Sequence, residues 1–373
     1  MAAAQPTRPR IDLRSDTVTL PPSGMLEEIP RTALGDDVYG EDPTVNRLEE
    51  MAAERLGKEA ALLVSSGTMG NLLAFLSHCE RGRKILLGDQ SDAWLWEAGG
   101  ASALGGLVYH PLPTRAGGEL SVEDLEAALV DPSNPQCAEP GVVCLENTHC
   151  MSGGHVLRGG YLAAVRRFAD RTGIPLHLDG ARIFNAAVAL GIDVSRIAEP
   201  ADSVMFCLSK GLAAPIGSLL AGSHGFVERA RRWRKMLGGG MRQAGIVAAA
   251  GIYALERMVD RLAEDHRNAR LLYEGLAGIE GIAPDPEPPE TNIVFWQLAE
   301  TGLSTAAFVD ALGDRGVAVG ELGHGRIRAV THFGITQGDI ELAVEAAREV
   351  VACRREPQDA RPEHRIGRSE RSL

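Results

Sequence analysis

The amino-acid sequence predicts an α/β protein: a large domain built on a mainly parallel sheet, followed by a small α+β domain. Three observations predict it. Short apolar runs alternate with helix-period patterns through the middle of the chain, which implies right-handed crossovers and a sheet covered on both faces. The pattern changes character after about residue 256. The chain, at 373 residues, is long for one domain and natural for two.

Residues 59–65 form an apolar run of strand length and 68–80 a helical pattern opened by Ser and Thr. Residues 84–88 read as a strand, 121–129 as a helix, 141–146 as a strand and 159–172 as a helix. Two further apolar runs, 174–179 and 204–210, read as buried strands, and 217–222 as another. An amphipathic pattern over 253–275 then predicts one long helix, followed by a Pro-rich turn at 283–289 and strands at 292–297 and 326–331. The expected division is residues 11–255 for the large domain, with its N-terminal segment touching the small domain, and 256–353 for the small one. Residues 1–10 and the polar tail 354–373 lack the apolar surface to pack and are expected to be disordered.

Composition narrows the function. No apolar stretch of about 18 residues is present, so no membrane span is expected, and the first ten residues lack the apolar core of a secretory signal. Six cysteines form no C-x-x-C pair, which suits reduced thiols in a cytoplasm, and no metal site is expected. With 50 acidic against 38 basic side chains and a net charge of −12, the chain does not favour nucleic acid.

The chemistry is carried first by Ile174-Pro-Leu-His-Leu-Asp-Gly-Ala-Arg182 and Val204-Met-Phe-Cys-Leu-Ser-Lys210. A carboxylate ending one strand beside an amine ending its neighbour is what pyridoxal 5'-phosphate (PLP) requires, since the amine binds the cofactor's aldehyde and the carboxylate keeps the pyridine nitrogen protonated. Of the four lysines, Lys58, Lys84, Lys210 and Lys235, only Lys210 closes an apolar run, where burial is expected to lower its pKa. Ser66-Gly-Thr68, at a strand-to-helix turn, offers free N–H groups for a phosphate, and Arg242 follows three glycines in a loop within reach of one. Glu146-Asn-Thr-His149 ends another strand and is expected to project an imidazole over the ligand. Arg328, in a late strand, can hold a carboxylate with its fork. Each piece alone also has an ordinary structural reading, as a salt-bridged turn, a helix cap, a structural histidine or an edge arginine; their common order along one sheet edge favours a site.

Taken together, Ile11-Asp-Leu-Arg-Ser-Asp-Thr-Val-Thr19, Gly35-Asp-Asp-Val-Tyr-Gly-Glu-Asp-Pro43, Ser66-Gly-Thr-Met69, Glu97-Ala-Gly-Gly100, Glu146-Asn-Thr-His149, His177-Leu-Asp-Gly-Ala-Arg182, Leu208-Ser-Lys-Gly211, Gly238-Gly-Gly-Met-Arg-Gln-Ala-Gly245 and Arg328-Ala-Val-Thr-His332 resemble the ordered motifs of the low-specificity L-threonine aldolases. The resemblance covers roughly residues 10–350. It implies a fold type I, aspartate-aminotransferase-like PLP enzyme with a sheet of the seven-stranded type, cleaving L-threonine, L-allo-threonine and related β-hydroxy-α-amino acids to glycine and an aldehyde. It further implies Lys210 as the Schiff-base lysine, Asp179 on the ring nitrogen, Arg182 by the phenolic oxygen, Ser66, Gly67, Thr68 and Arg242 on the phosphate, Ser15 and Arg328 on the substrate carboxylate, and His149 near the β-hydroxyl as base. Tyr39 is expected to come from a facing subunit of a homo-oligomer, a dimer or tetramer. Asp92 departs from the pattern, standing where many relatives stack a histidine on the ring, and is a second candidate for proton handling. The alternatives are a β-eliminating lyase or dehydratase of the same fold, or a PLP-binding protein without turnover.

Overall fold

A computed structural model describes residues 11–299 and 301–353; the disorder expected of residues 1–10 and 354–373 lies outside these. The central sheet has seven strands: β1 (Ala60–Val64), β2 (Lys84–Gly88), β3 (Val108–Leu112), β4 (Pro140–Glu146), β5 (Leu176–Asp179), β6 (Ser203–Cys207) and β7 (Ser218–Gly222). Their order is β1-β7-β6-β5-β4-β2-β3. The pairs β2/β3, β2/β4, β4/β5 and β5/β6 are parallel, and β7 runs antiparallel between β6 and β1. Every residue of β5, β6 and β7 is buried, so these strands carry continuous apolar runs and not an alternation. The expected mainly parallel fold is therefore borne out.

β3 had no expected counterpart. It is an edge strand, exposed at Val108, with Pro111 inside it; a proline is tolerated where no ladder N–H is needed on the outer side, but it erases the strand signal.

A second sheet contains β8 (Ile282–Pro284), β9 (Ile293–Leu298), β10 (Gly320–Glu321) and β11 (Ile327–Val330), all antiparallel in the order β10-β11-β9-β8. The single long helix expected over 253–275 is instead two helices, Gly245–Arg257 and Leu262–Ala277. Buried positions continue at helical spacing across the break, through Ala254, Leu255, Met258, Leu262, Asp265 and Ala269, so the apolar period cannot reveal that the backbone turns at 258–261.

The largest core cluster runs from Met25 to Leu262 around the seven-stranded sheet, and another gathers Ile11, Leu13 and residues from Ala269 to Val351. The N-terminal segment thus packs with the second sheet: Ile11–Asp12 pairs parallel with Val317–Ala318, and Val330 N–H donates to Leu13 O at 2.8 Å.

Asp42 fixes the geometry of two loops. Its fully buried carboxylate accepts from the N–H groups of Thr44 and Val45, capping the helix Pro43–Leu56, and also from Gly35 and Gly245. A capping anion also complements the helix dipole. The segments 35–43 and 238–245 are in this way held against each other.

Candidate active site

The candidate residues follow the carboxyl ends of five strands: Ser66, Gly67 and Thr68 after β1, Asp92 after β2, His149 after β4, Asp179 at the end of β5 and Lys210 after β6. Ligands in such sheets bind beyond this edge. A cavity of about 220 Å³ lies there, lined by Ser15, Thr17, Asp92, Trp96, Cys150, Arg182, Lys210, Leu322 and Arg328. It brings five of the expected residues together, with Asp179 close enough to Lys210 for the two charges to affect each other.

Arg182 is buried, and its Nε and Nη2 donate to the two carboxylate oxygens of Asp16, each at 2.7 Å. The guanidinium holds the Asp16 carboxyl well below the usual carboxylate range, against the opposing effect of burial. Arg328, on β11, donates through Nη1 to Cys150 Sγ and through Nη2 to Arg14 O, while its Nε is buried without a partner among the described residues. Ser15 caps the short turn Asp16–Val18 and accepts from the Thr17 N–H.

Acidic groups crowd the floor. Burial, and then the Asp92 and Asp179 charges, push the Glu146 carboxyl well up; its oxygens accept from the N–H groups of Asp92 (2.8 Å) and Cys150 (2.7 Å) and so staple two loops. Burial, and then the Asp179 charge, push Glu97 well up too. Burial raises Asp179 itself, with Lys210, the Asn71 amide and the Ala181 N–H pulling the other way. Asp92 Oδ1 is buried with no partner among the described residues.

Lys210 corrects an expectation. Burial does push its ammonium down, but Cys207, Asp92 and Asp16 outweigh burial and Arg182, so its pKa is raised above the ordinary lysine range. The acidic groups around it, and not burial alone, set the direction of its shift.

Other residues lie elsewhere. His149 is buried and does not line the cavity; burial pushes its imidazole down to about 4, its Nδ1 has no partner among the described residues, and Gly118 closes over it. A Cβ on Gly118 would fall 2.4 Å from the His149 Cβ, so that close approach requires glycine. Ser66 caps the helix Gly67–His78 by accepting from the Met69 N–H, leaving the N–H groups of Gly67 and Thr68 at the helix start. Tyr39 is 73 % exposed, and Arg242 is an exposed side chain paired with Asp36 at 2.9 Å; neither lines the cavity. Sequence reasoning missed Asp16, Glu97, Glu146, Asn71, Trp96 and Cys150. The signal for three of them was adjacency, since Asp16, Glu97 and Glu146 stand inside motifs already singled out.

Comparison with known proteins adds the family. A model of the beta-eliminating lyase family matches residues 12–301. The chain is 45 % identical over 329 residues to the low specificity L-threonine aldolase of Escherichia coli (strain K12), covering 88 % of this chain and 95 % of that protein. The chain belongs to the low-specificity L-threonine aldolase family. It is also 42 % identical over 350 residues to low-specificity L-threonine aldolase 1 of Arabidopsis thaliana, covering 93 % and 98 %. A solved threonine aldolase structure from Leishmania major superposes with a TM-score of 0.77 at 21 % identity, over 91 % of this chain and 99 % of that one, and shares the fold.

Enzymes of this family depend on PLP, and the site of this aldolase-family chain fits the group. A carboxylate ends β5, a lone lysine lines the cavity, and a capped helix start offers N–H donors. Gly67 approaches β6 so closely that a Cβ there would lie 2.9 Å from Cys207 Sγ.

The buried pair makes one prediction. In the wild type its contribution is complete above the ordinary aspartate pKa of about 3.9 and fades only at lower pH. Asp16→Asn leaves the Arg182 charge buried without its counter-ion and should lower stability by about 3–5 kcal/mol in urea unfolding at pH 7. A loss under about 1 kcal/mol, the range of an exposed pair, would show that the pair is not a structural tie.

Proposed function

We propose that this aldolase cleaves L-threonine, L-allo-threonine and related β-hydroxy-α-amino acids to glycine and an aldehyde. The observation that carries the reading is that one cavity joins Lys210, the amine that would hold the cofactor's aldehyde, to Ser15 and Arg328, which suit a substrate carboxylate. When bound, PLP supplies the electron sink for the breaking Cα–Cβ bond. Asp179 would hold the proton on the ring nitrogen, Arg182 would lie by the phenolic oxygen, and Ser66, Gly67 and Thr68 would take the phosphate at the helix start. Arg328 and Ser15 would fix the amino acid by its carboxylate and so orient the bond to be broken.

Two groups stand to take the β-hydroxyl proton. Asp92 lines the cavity with an oxygen that has no partner among the described residues; His149 lies behind, neutral at pH 7 and therefore able to accept, directly or through a water. A carboxylate in place of a flat imidazole leaves more room on the β-substituent's side and supports a broad aldehyde range. β-Elimination or dehydration at the same site is the alternative chemistry; a non-catalytic PLP-binding protein is set aside by the family match.

The same reading makes the protein a cytoplasmic homo-oligomer, a dimer or tetramer, with shared sites. Its support is that Tyr39 and Arg242 belong to adjoining surface segments, the Asp37 N–H donating to Arg242 O at 2.9 Å, and neither reaches the cavity of its own chain. No helix among the described residues is long and apolar enough to cross a membrane. The two separate cores support a large and a small domain, placed at residues 11–255 and 256–353, with the first core running on to Leu262 and the second taking in Ile11 and Leu13.

A coupled assay should yield glycine and acetaldehyde from L-threonine and L-allo-threonine, and not from the D-isomers; ammonia and a 2-oxo acid as the only products would replace the aldolase reading by elimination. Asp92→His should change the threo/erythro ratio of the reverse reaction more than it changes glycine binding, whereas an unaltered ratio and aldehyde profile would make Asp92 a bystander. Inactive Lys210→Ala and Tyr39→Ala proteins, mixed under subunit exchange, should regain up to about a quarter of wild-type activity through hybrid sites carrying neither lesion. No recovery despite verified exchange would mean that each site is built from one chain.

A further inference from the structure

A buried hydrogen-bond chain leads from Asp179 along one face of the sheet, away from the Lys210 cavity. Asn71 Nδ2 donates to Asp179 Oδ2 at 2.7 Å and to Glu97 Oε1 at 2.8 Å. One amide nitrogen carries two hydrogens, and both are thus spent on carboxyl groups. Asn71 Oδ1 can only accept, and its partner is His177 Nε2 at 3.0 Å. His177 lies two residues before Asp179 on β5 and so faces the same side of the sheet. Its Nε2 must carry the proton, which leaves Nδ1 to accept from Ser203 Oγ at 2.9 Å. The hydroxyl has one hydrogen, so its remaining contact, His78 Nε2 at 2.7 Å, is a donor to it.

Every link therefore donates toward Asp179, and the direction is set at the inner end by the Asn71 amide. Asn71, His177 and Ser203 are buried. Burial pushes His177 down to about 3 and His78 to about 4, so both rings stay neutral at pH 7. The outer ring is itself fixed, stacked on Phe226 at 4.6 Å between centroids. His78 lines a cavity of about 490 Å³ with Arg83, Pro140, Gly141 and Pro175, at the amino ends of β2, β4 and β5.

We propose that Asn71, His177, Ser203 and His78 are positioning residues for Asp179, a one-directional donor chain that holds its carboxylate ionised for the cofactor's ring nitrogen. The proposal rests on the reading that Asp179 meets that nitrogen. Its physical basis is the acid crowding of the site. Asp179 is buried near Glu97, Glu146 and Asp92, an environment that favours the neutral acid unless donors occupy the oxygens. Asn71 can donate to two carboxyls only while its amide does not flip. Flipping would turn Oδ1 onto both acids and the NH₂ group onto the His177 N–H, so the two carboxyls hold the amide and, through it, the direction of the chain.

The test uses the holoenzyme. ¹⁵N-histidine NMR at pH 7, with the resonance assigned through His177→Gln, should show His177 neutral and protonated on Nε2; a neutral ring protonated on Nδ1 would overturn the chain. Ser203→Ala should weaken PLP binding, titrated into apoenzyme, by about 3- to 10-fold and lower kcat by a similar factor, the value of one or two hydrogen bonds. KM should hold, because the carboxylate-holding groups are elsewhere, and Ser203→Thr should restore both. Wild-type behaviour of Ser203→Ala in binding and turnover would overturn the proposal, and if that variant did not fold the wild-type tautomer would decide. A wild type that binds no PLP would sink the cofactor reading and not the chain, whose tautomers the same NMR then reads on the PLP-free protein.

Discussion

The bidentate pair of Asp16 and Arg182 ties together the three parts of the chain that build the site. Asp16 belongs to the N-terminal segment, Arg182 follows the carboxyl end of β5, and Asn292 beside β9 donates to the same Asp16 carboxylate at 3.3 Å. Buried charges of this kind are costly to desolvate and hold only when geometry and extra hydrogen bonds are good, which both distances of 2.7 Å satisfy. Because Ser15 and Thr17 flank Asp16, and Arg328 donates to Arg14 O, the walls of the cavity are set by this one contact.

Around that tie the site balances an excess of acids. Glu146 and Glu97, with their pKa values pushed up, are disposed to remain neutral, and Glu146 is used as a staple between the loops of Asp92 and Cys150. The acidic groups beside Lys210 push its pKa up against burial. Asp179 keeps two donors of its own, Asn71 and Ala181, in an environment that otherwise favours protonation. Chemistry that needs a proton kept on a ring nitrogen is served by a carboxylate that stays an acceptor.

Much of this was legible in the sequence. β2 and the helix Gly159–Thr172 stand at the expected residues, β5 falls within its apolar run and β6 overlaps its own over 204–207, because buried parallel strands and an amphipathic helix have clear patterns. The order of His149, Asp179 and Lys210 along strand ends made one sheet edge predictable, and the family resemblance added Asp92. Three things were hidden for physical reasons. The break at 258–261 conserves the apolar period; the direction of the Lys210 shift depends on Asp16 and Asp92, which only the fold brings near; and the Asn71, His177 and Ser203 links join separate elements with no local spacing to announce them. His149, expected over the ligand, is instead enclosed under Gly118, a contact that no motif foretells.

The most direct measurement of the central claim is borohydride reduction of the PLP-loaded protein followed by peptide mapping. The cavity geometry predicts a single pyridoxyl group, on Lys210, with Lys58, Lys84 and Lys235 unmodified. A pyridoxyl group on any of those three in place of Lys210, or none on the loaded protein, would contradict it.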